Sequence, residues 1–178
     1  MPARAKGLTL SELLVAIAVA ALLVTLGLPA FMGTFERVRV HGAFSALTAS
    51  LASARLAAVS RGRAVSVCPS RDGKLCRRDL IWEEGWIVFV DPARNGVPSG
   101  ADAILQHVIP SLSGISIRST VGRHLVRYQP SGFSAGSNVT LRLCRTADRQ
   151  ELGKVVVNNG GRARSERPTR LQLCSLDP

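Results

Sequence analysis

Acidic residues are scarce in this sequence: 12 Asp and Glu stand against 23 Lys and Arg, a formal net charge of +11. That imbalance points to anionic partners, nucleic acid or acidic lipid, and leaves the fold open. Histidine is scarcer still. His41, His107 and His124 are scattered and form no ligand pair. None of the four cysteines sits in a C-x-x-C pair, since seven residues separate Cys68 from Cys76, and this counts against a zinc site. Asp91, Asn95 and Asp102 do not follow the spacing of a calcium-binding loop and read as turn residues. No metal and no other cofactor is expected. Nor is catalysis. Gly132-Phe133-Ser134-Ala135-Gly136 spells G-x-S-x-G, but a nucleophile elbow needs a helix after it, and residues 139–144 read as a strand.

The N-terminus also lacks something. An ordinary secretory signal is cut at small residues after its apolar stretch, and Gly27-Leu28-Pro29-Ala30 is a poor site of that kind. What is present is a basic opening with Arg4 and Lys6, then an apolar run. Residues 8–30 number 23 and would span about 34 Å as a helix, enough to cross a hydrocarbon core. The positive-inside rule keeps Arg4 and Lys6 cytoplasmic and sends the remainder across the inner membrane. One carboxylate interrupts the run. Glu12 has no basic residue near it, and an unpaired acid at that depth costs roughly 2.5–3.5 kcal/mol on insertion scales, so it calls for a partner.

The stretch Lys6-Gly7-Leu8-Thr9-Leu10-Ser11-Glu12-Leu13-Leu14 resembles the class III signal of type IV prepilins and pseudopilins. The resemblance implies a leader of residues 1–7 removed after Gly7 by the prepilin peptidase, N-methylation of Leu8, and a transmembrane and assembly helix over 8–30. It further implies that Glu12 pairs with the N-terminal ammonium of a neighbouring subunit. Leu8 departs from the family's usual Phe. Pro29 matches the family's helix-bending proline, which removes one backbone donor.

The helical pattern continues beyond Pro29. Phe31, Phe35, Val38, Phe44, Leu47, Leu51, Ala54 and Ala58 recur at three- and four-residue steps, and Gly62 is a plausible stop. A helix of about 50 residues results, half anchor and half domain spine. The period then switches to short strands, predicted at 64–68, 86–90, 104–109, 115–118, 125–128, 139–144, 154–157 and 169–173. One long helix followed by strands reads as α+β with an antiparallel sheet, a globular domain over 31–178. Across a membrane, in an oxidising compartment, the cysteines suit two disulfides. Three pairings are open. Cys68 with Cys76 closes a short loop and is favoured, leaving Cys144 with Cys174.

This body resembles the GspH/FimT branch of minor pilins and pseudopilins. Arg55, Ala57-Ala58, Val65-Ser66-Val67-Cys68, Trp82, Gly85 through Asp91, Tyr128-Gln129-Pro130-Ser131-Gly132 and Gly160-Gly161-Arg162-Ala163-Arg164 carry the likeness. In FimT-like minor pilins a C-terminal G-R-x-R motif is associated with binding extracellular DNA during natural transformation, and Gly161, Arg162 and Arg164 match it. Arg167, Arg170 and Lys154 would add charge. Arginine's fork suits phosphate oxygens, and glycine allows close backbone approach. No aromatic residue interleaves there in sequence, so base stacking is not indicated. The resemblance implies a pilus subunit that meets other pilins, the prepilin peptidase, the membrane and double-stranded DNA. The alternative is a purely structural role, as a GspH-like pseudopilin of type II secretion or a minor pilin that primes assembly.

Overall fold

The computed structural model describes residues 9–174 apart from Ala135 and Ser137; the side chains of residues 26–32 are also outside the description. Gly7 and Leu8 therefore lie outside the described residues. A single helix, α1 (Leu10–Arg61), opens the chain. Two compact units divide between Val38 and Arg39.

In the first unit every described side chain from Thr9 to Thr25 is exposed, although the stretch is apolar apart from Glu12. Residues 33–61 are also apolar on average, but they carry Glu36, Arg37, Arg39, Arg55 and Arg61 and bury part of their surface. Only the first stretch therefore has the character of a lipid-facing span. The expected apolar stripe is accordingly split. Phe35 and Val38 are exposed, and Phe31 is outside the described side chains.

In the second unit α1 packs through Ala43, Phe44, Leu47, Leu51, Ala54 and Ala58, all buried. The small alanines allow close approach of helix to sheet. Gly62, with φ of 61°, ends the helix in the left-handed conformation that a C-terminal cap needs.

Among the described residues eight strands follow, in two four-stranded antiparallel sheets. The first has the order β3 (Ile104–Val108), β2 (Trp86–Val90), β1 (Val65–Pro69), β5 (Val126–Tyr128). The second has the order β4 (Ile115–Ser119), β6 (Val139–Arg145), β7 (Glu151–Val157), β8 (Ala163–Glu166). The helix residues share one apolar core with Val65, Val67, Trp86, Val88, Val126 and Tyr128 of the first sheet and Ile117, Leu141, Leu143, Val155 and Val157 of the second. Trp82 and Trp86 are fully buried, and the Trp86 indole donates to Ser50 Oγ at 2.9 Å.

The two sheets differ in how their strands read. β1 and β2 are runs that are apolar apart from Ser66, because both faces are covered: Cys68, Ile87 and Phe89 form a second small core with Cys76, Ile104 and Leu125. β7 alternates strictly between buried and half-exposed, the mark of a sheet with one open face.

Disulfides join Cys68 to Cys76 and Cys144 to Cys174. The expected strand at 169–173 is a correction. That segment makes one isolated bridge, Leu173 with Gln150, and the eighth strand is Ala163–Glu166 instead. Pro168 cannot donate to a ladder, whereas the charged Ala163-Arg164-Ser165-Glu166 suits an edge.

Candidate nucleic-acid interface

β7 and β8 are joined by the turn Asn158-Asn159-Gly160-Gly161-Arg162. The Gly161 N–H donates to the Asn158 carbonyl at 2.8 Å, and the Arg162 N–H donates to Asn158 Oδ1 at 3.3 Å. Gly161 is buried with φ of 72°. A Cβ built on it would lie 2.1 Å from the Gly132 carbonyl oxygen. This glycine makes a close approach to the protein's own backbone. Gly161 locks the turn onto the segment 129–134, and the Ser134 N–H donates to the Asn159 carbonyl at 2.9 Å beside it. From the helix, Arg55 Nε donates to the same Gly132 carbonyl at 2.9 Å. Beneath this junction Tyr128 is fully buried; its burial, opposed by the nearby Arg55 charge, pushes the phenol well above its ordinary range.

Gly161→Ala is therefore expected to strain both φ and packing. The backbone term alone should cost at least about 2 kcal/mol, or roughly 4–8 °C in Tm for a chain of this size. Differential scanning calorimetry of the purified protein checks it. A melt unchanged from the parent would mean that the turn is not locked.

The arginines fall into two groups. Arg162 is exposed in the turn, and Arg167 and Arg170 are exposed beyond β8. Among the described residues no acid lies within ion-pair distance of these three. The segment carrying Arg167 and Arg170 is held at one end by β8 and at the other by Cys174, bridged to Cys144. Arg164 is different. It stands on the open face of β8 opposite Val156, and its Nε meets Glu166 Oε1 at 2.8 Å. Lys154 Nζ meets Glu166 Oε2 at 3.3 Å. The hydrogen bond from Lys154 and then the charge of Arg164 hold the Glu166 carboxyl below the usual carboxylate range.

Sequence reasoning missed a wider pattern. The registers place Arg118, Arg142, Lys154 and Glu166 in one row across the open face of the second sheet. Arg118 pairs with Glu83, and Arg142 lies 4.0 Å from Glu151. This row is largely compensated, whereas Arg162 in the turn has no acid beside it among the described residues. The strand period would have revealed the row only with the pairing register in hand. An aromatic residue was missed too. Phe133 is exposed between Gly132 and Ser134, both of which touch the turn, although it is distant from Arg162 in sequence.

Other expected features are placed plainly. The Asp91 carboxylate is buried and accepts hydrogen bonds from Ser66, Arg127 and the Asn95 and Gly96 backbone, so it is the anchor of its loop. Ser134 is fully buried, and strand β6, not a helix, follows it. Among the described residues no group of His, Cys, Asp and Glu is arranged to hold a metal ion.

In the first unit Glu12 lies in the opening turn of α1. Its carboxylate accepts from the Thr9 N–H at 2.9 Å and the Thr9 hydroxyl at 3.0 Å, while the Glu12 N–H donates to Thr9 Oγ1 at 3.3 Å. This reciprocal pair is a capping box, which the sequence Thr9-Leu10-Ser11-Glu12 contained and our reading passed over.

Residues 43–161 match the family described as Type II transport protein GspH, well over half of the chain. The chain belongs to the GspH family. Residues 2–28 match the prokaryotic N-terminal methylation motif, which encloses Gly7, Leu8 and Glu12. Among solved structures, the type IV minor pilin FimU of Pseudomonas aeruginosa superposes with a TM-score of 0.62 at 20% identity, covering 79% of this chain and 98% of that one. A second crystal form of FimU gives 0.56 at 21% identity, over 76% and 99%. The minor pseudopilin EpsH of Vibrio cholerae gives 0.48 at 14% identity, over 72% and 96%. Comparison with curated proteins finds no significant match. At such identities the likeness to FimU concerns the fold: this GspH-family chain has the pilin-like arrangement of a long apolar helix and antiparallel sheets.

Proposed function

We propose that this GspH-family chain is a minor pilin that captures double-stranded DNA for natural transformation, acting as a binding and structural subunit and not as an enzyme. In this reading residues 1–7 are removed after Gly7, Leu8 is methylated, residues 8–30 hold the subunit in the inner membrane, and Glu12 engages a neighbouring subunit during assembly. The domain from residue 31 onward is periplasmic at first and extracellular in the filament. Arg162, Arg164, Arg167 and Arg170, with Lys154, contact phosphates and read no sequence.

The supporting observation is the locked turn: exposed Arg162 stands on a backbone fixed by the Gly161–Gly132 contact, and no acid pairs with it among the described residues. A fixed backbone leaves only the side-chain freedom to be lost on meeting phosphate, and the guanidinium's planar fork limits that loss for each hydrogen bond made. The purified full chain in detergent, titrated against a fluorescent duplex at several salt concentrations, tests the reading. With three or four of these five cations on phosphates at once, the slope of log K against log salt is near −3, since each contact contributes about −0.9. Binding that is absent at low salt, or insensitive to salt, would sink it.

One observation favours the structural alternative. Glu166 occupies Arg164 and Lys154 and reduces the charge available to a polyanion. On the DNA reading Glu166 is a brake, and Glu166→Gln is expected to tighten duplex binding at least several-fold, because Arg164 and Lys154 no longer leave a carboxylate to meet phosphate. Weaker or unchanged binding would remove Arg164 and Lys154 from the interface and move a pseudopilin or priming role ahead.

A further inference from the structure

We infer that the DNA-binding surface continues past the arginine turn onto the loop between β4 and β5, where Arg123 forms a second phosphate contact at the mouth of a basic groove. The inference rests on the DNA reading above.

Antiparallel order brings three connections to one end of the second sheet. β4 ends there, β6 begins, β7 ends and β8 begins, so residues 120–125, the described residues of the β5–β6 connection (129–134, 136 and 138) and residues 158–162 are neighbours. Hydrogen bonds stitch them together. The Arg123 guanidinium donates to the Gly136 carbonyl at 2.6 Å, and the Ser134 N–H donates to the Asn159 carbonyl at 2.9 Å. Two bonds and a short loop segment thus connect Arg123 to the turn that carries Arg162.

Charge follows the same path. No Asp or Glu occurs from Ser119 through Ala147, nor from Leu152 through Ser165. Every ionisable side chain in the three connections that could be charged at neutral pH is an arginine or a histidine. Next to Arg123 lies an open polar groove of about 350 Å³, lined by Asn95, Gly96, Gly122, His124 and Arg127 as well as Arg123. A second groove shares Asn95, Gly96 and His124 and extends to the exposed Arg78. Asp91, whose carboxylate holds the Asn95 and Gly96 backbone, is buried and already bound to Arg127.

An elongated open path with cations at Arg78, Arg123 and Arg162 fits a polyanion backbone better than a single small anion. Glycine and asparagine along it let a backbone come close. Arg123 uses one nitrogen on Gly136 and keeps others for phosphate. Several cations spread along a path also give a salt dependence that a single turn would not reach.

The test uses the full chain in detergent and a labelled 30-base-pair duplex, followed by fluorescence anisotropy across salt concentrations. Arg123→Gln is expected to weaken binding about tenfold at low salt and to lower the slope by about 0.9. Arg123→Lys should restore the slope, and Arg78→Gln, which disturbs no hydrogen bond of the loops, should also lower it. If Arg162→Gln with Arg164→Gln flattens the slope but the Arg123 and Arg78 changes leave it intact, the second contact is refuted and the DNA reading stands. If Arg123→Gln and Arg123→Lys both weaken binding at an unchanged slope, the loss is loop distortion and the inference also falls. If the parent chain binds no duplex, the failure belongs to the DNA reading itself.

Discussion

Replacing Arg162 and Arg164 together by glutamine is expected to lower duplex affinity by roughly thirty- to a hundredfold at low salt, while leaving the thermal melt within about 1 °C of the parent. The size follows from two lost charge-assisted contacts: about 1.4 kcal/mol, or a factor of ten, for Arg162, and about three- to tenfold for Arg164, which must first leave Glu166. The slope of log K against log salt should fall by about 0.9 for each contact removed. The fold should not notice. Both side chains are exposed, Arg162 makes only backbone hydrogen bonds in the turn, and Arg164 pairs with a surface carboxylate. Exposed ion pairs of that kind contribute little to stability. The two positions are also unequal. Arg162 has no acid to give up, whereas Arg164 must leave Glu166, so Arg162→Gln alone should account for most of the loss. Arg37→Gln, on an exposed helix face of the other compact unit, serves as the charge-matched control and should change affinity less than twofold. A double variant that binds as well as the parent would make the arginine turn a solvated face, and the structural pseudopilin role would then lead.

How far these features could be seen in the sequence depends on whether they are local. The helix was legible because its apolar steps and its Gly62 stop are contiguous, and β2 because Trp86-Ile87-Val88-Phe89-Val90 is an uninterrupted buried run. β8 was not legible. Its residues are polar because it is an edge strand, and its partner β7 supplies the regularity. The arginines were visible as a cluster, but their pairing was not: Glu166 lies close to Arg164 in sequence, while Lys154 reaches it only through the β7–β8 register. Gly161 carried a signal with a structural cause that the sequence could not display. A glycine beside arginines suggested a ligand, and the atom that demands it is the carbonyl oxygen of Gly132, far away in sequence. Phe133 and Arg123 reach the same place through loops that no period marks.

The other large effect is expected at Glu12, and the structure sharpens how to measure it. In the single chain the carboxylate is held by the capping box with Thr9, so it has a partner before any neighbour arrives. A capping box needs only a hydrogen-bond acceptor, and glutamine serves as well as glutamate. Pairing with a neighbour's ammonium needs the charge. Glu12→Gln therefore keeps the helix start and removes the proposed contact between subunits, while Glu12→Ala removes both. Losing an ion pair in a low-dielectric site costs on the order of 2.5–3.5 kcal/mol, the penalty for leaving a charge there unmatched, which is about a hundredfold in partition. Both variants should be cleaved, with intact mass showing a mature chain that begins at Leu8, and both should accumulate in the membrane. Both should also be depleted from sheared filaments, to below about a tenth of the parent by immunoblot, after the estimated hundredfold penalty is allowed to soften in the assembled state. Glu12→Gln entering filaments as the parent does would show that the charge is not used between subunits. Thr9 would then be the carboxylate's functional partner, and its role would be confined to starting α1.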